Sequence, residues 1–376
     1  MSERRTLFFH DVNTSYPASV LDGLSSIPKY ATRVLAMTEE KDAVILPESA
    51  RPHLRWIQEH YKAIGLPHAG TILFGGYDLV PRFHDHELSV FLFGANAHRA
   101  RPNQRRFEAT ARHNDKNEFV CKICPRLQVP TPKTYCVNQV QTFRRLVDPV
   151  LDIGWPLYVK AALSASGLNV SRVANWEKLM AVVDEMNSAN FQLQKALPEG
   201  TKFLNVQYHN RGGYPARGPI TRQILDGFSH NGNIFPAGVD EEAVWRVTDP
   251  LAEYAVKEGL EEVWAYDVGY LPDGSVQVVE CNPRANGCTY FSEVARKLNV
   301  HAWEARNVKF LPGSFEGCEL GDLAFRDGRG IVIVNWGFVT DQKLGLFIAG
   351  TEADREAYRQ AFHRKFNQTP QLRSVG

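Results

Sequence analysis

Short apolar runs alternate with amphipathic stretches along the first 110 residues, and this pattern predicts an open α/β domain. The apolar runs have the length of buried strands and occupy residues 7–9, 42–46, 71–74 and 89–93. Residues 51–64 place apolar side chains at helical spacing and end at Gly65, which predicts an amphipathic helix. Neither a G-x-G-x-x-G string nor a Walker string occurs here, so we do not expect this region to bind a nucleotide on its own.

A basic stretch at residues 99–106 comes next, and the chain then resumes the same alternation. We interpret this stretch as a solvated linker, with a contact to an anionic substrate as the alternative. Residues 117–124 have a helical pattern, and a proline-rich loop at residues 129–134 leads into a strand. The sequence therefore predicts a second α/β unit.

The segment after residue 155 combines a strand, a lysine and a run of small residues. Lys160 ends the strand, and residues 161–170 are mostly Ala, Ser and Gly. Small side chains let backbone N–H groups approach an anion closely, and a lysine adds a point charge suited to phosphates. The pattern is typical of a phosphate-binding loop, with an ordinary hairpin as the alternative.

Two later strands carry further candidates. Residues 191–196 form an apolar strand that runs into a Pro-Glu-Gly turn, and its free backbone edge suits pairing with an adenine ring. Residues 220–227 alternate as a strand that carries Arg222 and Gln223, whose side chains are long enough to reach phosphate oxygens. The alternative for both is a surface position on a half-exposed sheet.

The strongest chemical signal is a hairpin near residue 280. Residues 263–271 read as one strand, residues 272–275 as its turn, and residues 275–280 as the return strand. Folding at the turn brings Asp267 beside Glu280. Two carboxylates that share a buried site are the expected surroundings of a divalent metal.

The residues after Glu280 extend this signal. Asn282 faces the same side of the strand as Glu280, so its amide oxygen is a further ligand for Mg²⁺. Pro283 then turns the chain, which places Arg284 where its guanidinium can steady a phosphoryl group. The alternative is a hairpin with a salt-bridged rim and a capping Asn.

Composition narrows the classes of function. The chain has 376 residues, of which 44% are hydrophobic and 23% charged, as is ordinary for a soluble globular protein of two or three domains. The net charge of +1 argues against nucleic acid or an anionic membrane as the main partner. No apolar run approaches a membrane span, and the N-terminus lacks a signal-peptide pattern.

Six cysteines spread along the chain indicate reduced thiols in a cytoplasmic protein. Cys121 and Cys124 form a C-x-x-C string without a second Cys or His pair at zinc spacing. We interpret both as packing residues, with a metal or redox motif as the alternative.

Taken in order, these segments resemble the ATP-grasp superfamily, in which two α/β lobes close on ATP and Mg²⁺. The resemblance implies an α/β architecture in which a preATP-grasp open sheet precedes a two-lobed ATP-grasp fold. It divides the chain into residues 1–112, a preATP-grasp-like domain, and residues 113–193, the N-terminal lobe. Residues 194–376 are then the C-terminal lobe, with closing strands and a C-terminal helix.

The resemblance also implies roles for single residues. The ATP-binding positions are then Lys116, Lys160, Ser164, Ser166, Gly167, Gln194, Leu197, Lys202 and Gln223. Asp267, Glu280 and Asn282 match the family's ligands for Mg²⁺, with Mn²⁺ as an alternative metal. Arg284 matches the arginine of the family's E-x-N-P-R variant, and with Arg222 it is expected to hold the oxygens of an acyl phosphate.

The function implied is an ADP-forming carboxylate–amine ligase that makes an amide or peptide bond. Its partners are a small-molecule carboxylate and an amine, either amino acid or peptide, and the family also suggests a homodimer. The alternatives are a thiol, hydroxyl or carbanion acceptor, carboxylase chemistry, and a catalytically silent nucleotide-binding partner in a complex. Ala265 stands where D-alanine–D-alanine ligases carry an arginine, so the chain is not assigned to that subfamily. The preATP-grasp-plus-ATP-grasp layout with its E-C-N-P-R string more closely resembles peptide and amide ligases of specialised metabolism. Substrate contacts stay open among His209, Arg211, Arg217 and His230.

Overall fold

The computed structural model describes residues 5–12, 15, 27–138, 147–164, 170–186, 190–227, 229–312, 315–316, 319–336 and 342–367. Within these ranges the chain forms three β-sheets with helices packed around them. The predicted mixed α/β architecture is confirmed. No helix in these ranges is both long and apolar enough to cross a membrane.

The N-terminal sheet is parallel and open, as the alternating pattern predicts. In the spatial order β3-β2-β1-β4, its strands are β1 (Thr6–Phe9), β2 (Ala43–Leu46), β3 (Thr71–Phe74) and β4 (Glu87–Val90). β4 begins two residues before the predicted run and ends earlier. Phe91, the first residue beyond it, lines the central cavity described below.

Helical segments connect these strands. They are the 3₁₀ segments Ile27–Met37, Glu48–His53 and Tyr77–Phe83, and the α-helices α1 (Leu54–Ala63), α2 (Ala95–Ala100) and α3 (Gln104–Asn114). α1 begins three residues later than predicted. Pro52, which has no backbone N–H to donate, lies in the 3₁₀ turn that precedes it.

The basic stretch at residues 99–106 is not a solvated linker, so that prediction is wrong. It spans the end of α2 and the start of α3, where Arg106 is buried. Arg106 Nη2 lies 2.7 Å from Glu262 Oε1, and its guanidinium carbon lies 4.2 Å from the centre of the Phe93 ring. Because a buried charge is costly unless it is paired, this contact ties the N-terminal unit to the third sheet.

The second sheet is antiparallel. In the order β5-β8-β6-β7 it contains β5 (Thr134–Val137), β6 (Leu157–Ala161), β7 (Val170–Val173) and β8 (Phe191–Lys195), flanked by α4 (Val147–Ile153) and α5 (Trp176–Glu185). Gln194 on β8 is paired with Thr134 on one side and with Tyr158 on the other. Both edges of β8 are therefore paired with neighbouring strands as far as Lys195. The prediction that this strand offers a free backbone edge to an adenine ring is wrong over these residues.

The predicted helix at residues 117–124 is present. It is a continuous helical stretch made of Lys116–Glu118, a π-helical turn over Phe119–Ile123, and Cys124–Arg126. Cys121 on this stretch forms a disulfide with Cys136 on β5, so its interpretation as a reduced packing residue is wrong. Sequence spacing could not show this pairing, because β5 brings the partner from outside the C-x-x-C string. Cys124 remains a buried thiol whose pKa burial raises to about 12.

The third sheet has eight strands in the order β13-β12-β9-β10-β11-β14-β16-β15. They are β9 (Lys202–Arg211), β10 (Tyr214–Asp226), β11 (Ser229–Phe235), β12 (Val263–Tyr270), β13 (Val276–Asn282), β14 (Trp303–Lys309), β15 (Gly330–Asn335) and β16 (Lys343–Ala349). The helices are α6 (Glu241–Glu258), α7 (Gly287–Lys297) and α8 (Glu352–Phe366), with a 3₁₀ turn at Gly321–Leu323. The hairpin predicted near residue 280 is thus β12 and β13.

Apolar packing joins the N-terminal unit to the third sheet. One buried cluster extends from Leu35 and Ile57 in the N-terminal unit to Tyr290 and Trp303 in the third sheet and its helices. The division of the chain at residues 112/113 and 193/194 stays a prediction. Residue 193 lies inside β8, which ends at Lys195.

Candidate active site

A cavity of about 1150 Å³ lies where the three sheets meet. Arg33 lines it from the N-terminal unit, Lys160 and Gln194 from the second sheet, and Asp267 and Glu280 from the third. Pockets for one small ligand typically measure roughly 300–1,000 Å³. The cavity therefore has room for a nucleotide and a second molecule.

Pairing of β12 with β13 places Asp267 directly opposite Glu280, at a register irregularity of the hairpin. Three side-chain amides hold the Asp267 carboxylate. Its Oδ1 accepts hydrogen bonds from Asn205 Nδ2 at 2.9 Å and from Gln223 Nε2 at 2.7 Å, and its Oδ2 accepts one from Asn282 Nδ2 at 3.0 Å. These contacts fix the orientation of the carboxylate at the cavity wall.

The two carboxylates alter each other's affinity for protons. Burial and the charge of Glu280 raise the pKa of Asp267 to about 7. Burial acts on Glu280 in the same direction, but the nearby Lys116 and Lys160 outweigh it and lower the pKa of Glu280. A cation between the carboxylates would relieve their mutual repulsion.

These side chains fit a hard divalent cation. Asp267 and Glu280 offer carboxylate oxygens, which are the ligands that Mg²⁺ prefers. In the part of the chain that the structure describes, no group of three His, Cys, Asp or Glu side chains comes together. The other ligands would then be amide, water or phosphate oxygens, as is usual for Mg²⁺ bound together with a substrate phosphate.

Asn282 presents its amide nitrogen, not its oxygen, to Asp267. Its Oδ1 accepts a hydrogen bond from Arg284 Nη2 at 2.9 Å. For Asn282 to bind a metal through oxygen, its amide must rotate, and its NH₂ group would then face the donor on Arg284. Ligation by Asn282 therefore requires Arg284 to release it.

Two buried lysines face the carboxylates. Lys116 Nζ lies 3.6 Å from Glu280 Oε2 and donates to Ser164 Oγ at 3.0 Å. Lys160 Nζ donates to Gln194 Oε1 at 2.7 Å, and burial lowers the pKa of Lys160 to about 8. The cavity wall thus combines two cationic and two anionic side chains, which is suited to phosphate oxygens and a metal ion.

The structure brings most of the predicted ATP-binding residues to this cavity. Its lining includes Lys116, Lys160, Ser164, Gln194, Leu197 and Gln223. Ser166 and Gly167 lie outside the described residues. The roles of all these residues stay predictions, because their positions show proximity and not binding.

Two predicted residues lie elsewhere. Arg222 follows the alternation of β10, so it points to the opposite face from Gln223 and does not line the cavity. Lys202 donates to the carbonyl of Gly238 at 2.9 Å and is also absent from the lining. The geometry therefore does not place either residue against phosphates or an acyl phosphate.

Only one of the four open substrate candidates lines the cavity. That residue is His230, whose Nε2 lies 2.6 Å from Asn233 Oδ1. Arg217 instead pairs with Asp249 at 2.7 Å. His209 and Arg211 are not part of the lining either.

Other cavity residues were missed from the sequence. Asn205 lines the cavity and is a buried polar residue between the apolar Leu204 and Val206 of β9, and this position was a usable signal. Asn205 Oδ1 also accepts a hydrogen bond from Asn286 Nδ2 at 3.3 Å. Arg33 and Phe91 gave no signal, because they reach the cavity only through packing of the N-terminal unit against the third sheet.

No family model and no curated protein matches the chain. Solved structures do match it. N5-carboxyaminoimidazole ribonucleotide synthetase from Thermus thermophilus is 12% identical, with a TM-score of 0.63 over 97% of this chain and 99% of that one. N5-carboxyaminoimidazole synthase from Aspergillus clavatus, in complex with ADP and 5-aminoimidazole ribonucleotide, is 10% identical, with a TM-score of 0.58 over 96% and 98%.

A third match is the biotin carboxylase domain dimer of the Hydrogenobacter thermophilus 2-oxoglutarate carboxylase, in complex with MgADP and bicarbonate. It is 12% identical, with a TM-score of 0.59 over 95% of this chain and 89% of that one. At these identities the likeness concerns the fold. Over nearly its full length, this chain has the ATP-grasp fold with an N-terminal preATP-grasp-like domain, as the sequence predicts.

Proposed function

We propose that this chain is an ATP-dependent, ADP-forming ligase that joins a carboxylate to an amine through an acyl phosphate. The observation that carries the proposal is the convergence of Asp267, Glu280, Lys116 and Lys160 in one cavity. Phosphoryl transfer is catalysed mainly by positioning and by neutralising charge, and these four side chains provide both. The fold supports the proposal, since related structures hold ADP.

The second sheet orients the nucleotide in this proposal. Beyond Lys195 the chain leaves β8, and Leu197 lines the cavity at the end suited to the adenine ring. Gln194 fixes Lys160, since its Oε1 accepts from Lys160 while its Nε2 donates to Thr134 Oγ1 at 3.1 Å. Lys160 and Lys116 are then held toward the phosphates.

Asp267, Glu280 and Asn282 would hold Mg²⁺, or Mn²⁺, in the same place. When bound, the metal neutralises phosphate charge and so lowers the repulsion that an incoming carboxylate meets. Asn205 and Gln223 keep Asp267 oriented for this role through their hydrogen bonds to its Oδ1.

The reaction has two steps. A carboxylate oxygen of the first substrate attacks the γ-phosphorus, the bond between that phosphorus and the β–γ bridging oxygen breaks, and ADP leaves. The amine nitrogen of the second substrate then attacks the acyl carbon, phosphate leaves, and the nitrogen loses a proton. Arg284 lines the cavity and would stabilise negative charge on the acyl phosphate.

A carboxylase is the second candidate, and the related structures favour it. One of them is in complex with bicarbonate and another with 5-aminoimidazole ribonucleotide. On this reading bicarbonate is the carboxylate that ATP activates, and a substrate nitrogen is the acceptor. The same cavity residues would act, and only the first substrate would differ.

A homodimer, a cytoplasmic location and amino acid or peptide substrates are predictions from the sequence. The Cys121–Cys136 disulfide argues against a reducing compartment, where disulfides are rare. Alkylation of free thiols at cell lysis shows whether this pair is oxidised in the cell, because cysteines in a disulfide are not alkylated.

Release of ADP and phosphate tests the proposed function. Purified protein is incubated with ATP, Mg²⁺ and pools of amino acids and short peptides, with bicarbonate supplied or excluded. We expect release of ADP and phosphate to depend on the added amino acids or peptides and not on bicarbonate. AMP and pyrophosphate would contradict the proposal, turnover that depends on bicarbonate would favour the carboxylase, and binding of ATP without ADP formation would indicate a silent partner.

A further inference from the structure

Arg33 is a buried cation at the cavity wall. It lies on the 3₁₀ segment Ile27–Met37 and is 7% exposed. Its guanidinium carbon lies 4.1 Å from the centre of the Tyr290 ring, 4.9 Å from that of Tyr30 and 5.5 Å from that of Phe91. Among the described residues, nothing accepts a hydrogen bond from its Nε.

This environment leaves a buried donor of a charged group unsatisfied. Contacts between a cation and aromatic rings contribute about 0.5–2 kcal/mol each, whereas burial of an ion costs several kcal/mol. An anion bound in the cavity would offset the cost of burying the Arg33 charge. It would also accept a hydrogen bond from Arg33 Nε. The position of Arg33 is therefore suited to binding an anionic ligand.

Arg284 shares an aromatic neighbour with Arg33. Its guanidinium carbon lies 4.9 Å from the centre of the Phe91 ring, and both arginines line the same cavity. The two guanidinium groups are thus anchored by one ring, although they come from different ends of the chain. A ligand that reaches Arg284 with one anionic group can reach Arg33 with another.

A chain of hydrogen bonds holds the Tyr290 ring beneath Arg33. Ser89 Oγ donates to Glu262 Oε2 at 2.9 Å, so it accepts from His10 Nε2, which lies 3.0 Å away. His10 Nδ1 is then left to accept from the Tyr290 hydroxyl at 2.8 Å. The buried chain fixes Tyr290, and so the surface on which Arg33 rests.

Two exposed lysines also line the cavity. Lys309 and Lys343 lie opposite each other on β14 and β16, and the lining also includes the exposed Asp226. Cationic side chains around a cleft raise the local concentration of anions and their rate of association. The two lysines therefore favour entry of an anionic ligand.

We infer that Arg33 and Arg284 form a two-point anion site, which requires one substrate to carry a second anionic group besides the carboxylate that reacts. The inference rests on the proposed function for the assignment of Arg284 to the reacting group. Arg33 binds the group that does not react, either a carboxylate or a phosphate, since a planar guanidinium can bind both in a bidentate manner. The site thus selects for a dianionic substrate.

Binding of simple dianions tests this without turnover. Affinities of dicarboxylates of increasing length, of their mono-amides and of the matching phosphonocarboxylates are measured by calorimetry in the presence of ADP and Mg²⁺. We expect the wild type to bind one dianion at least about tenfold more tightly than its mono-amide, as a charge-assisted hydrogen bond gives. A preference for the dicarboxylate or the phosphonocarboxylate identifies the second group.

Arg33→Met should abolish this preference while the affinity for ADP stays within about twofold of the wild type. Arg33→Lys keeps the charge, and rescue by this variant separates loss of binding from loss of packing. Arg51→Met is the matched control, because Arg51 also packs on an aromatic ring, that of Phe74 at 4.0 Å, outside the cavity. It should bind as the wild type does.

The inference is overturned if Arg33→Met discriminates dianion from mono-amide as the wild type does, or if the wild type shows no such preference. Failure of the proposed function has a different signature. In that case ADP is not formed from ATP with any substrate pool, whereas the effect of Arg33 on anion binding persists.

Discussion

Replacement of Glu280 with Gln should lower kcat for ADP formation at least about a thousandfold. Glu280 lies opposite Asp267 on the hairpin and 3.6 Å from Lys116, so the change removes one of two carboxylates in the cluster while its size is kept. Steady-state ADP release with the best substrate pool measures the effect. Circular dichroism and urea unfolding show whether the variant is folded.

The control for this variant lies on the same hairpin. Asp273 is an exposed carboxylate at the turn, where it accepts a hydrogen bond from Ser275 N at 2.9 Å. Asp273→Asn keeps a side-chain oxygen that can accept this hydrogen bond. It removes the negative charge of a carboxylate outside the cavity, so turnover should stay within about twofold of the wild type. Turnover near the wild-type rate in Glu280→Gln would refute the assignment of Asp267 and Glu280 as metal ligands.

Replacement of Arg106 with Met should lower the free energy of unfolding by about 3 kcal/mol. The change leaves Glu262 at the boundary between the N-terminal unit and the third sheet without its 2.7 Å ion pair. This is the lower end of the range for a buried pair, since about a quarter of the Glu262 side chain is exposed (26%). Urea unfolding followed by tryptophan fluorescence measures it.

Arg99→Met is the matched control for Arg106→Met. Arg99 belongs to the same basic stretch but is exposed, so its loss should change the free energy of unfolding by no more than about 0.5 kcal/mol. If Arg106→Met and the wild type have equal free energies of unfolding, the ion pair between Arg106 and Glu262 does not stabilise the contact between the N-terminal unit and the third sheet.

Local patterns predicted the parts of the fold that depend on neighbours along the chain. The strands of the N-terminal sheet, the hairpin β12–β13 and the pairing of Asp267 with Glu280 all follow from alternation and turn residues. The mixed α/β architecture and the resemblance to the ATP-grasp fold are confirmed as well. They could be predicted because the motifs that carry them lie within short segments. Each of these features is encoded within a short segment.

Features that depend on contacts between distant segments escaped prediction. The burial of Arg106, the disulfide of Cys121 and the position of Arg33 are set by packing between units, which no local spacing reveals. Arg222 was misplaced for a different reason. Neighbouring residues on a strand face opposite sides, so only one of Arg222 and Gln223 could point at the cavity.

Transfer of oxygen-18 from substrate to phosphate tests the central claim most directly. Amino acids and peptides labelled with oxygen-18 in their carboxylates are turned over with ATP, and the released phosphate is analysed by mass spectrometry. An acyl phosphate requires one labelled oxygen to appear in each phosphate formed. Phosphate whose fourth oxygen comes only from water would show that no substrate carboxylate attacks ATP, and label only from oxygen-18 bicarbonate would replace the amide ligase by a carboxylase.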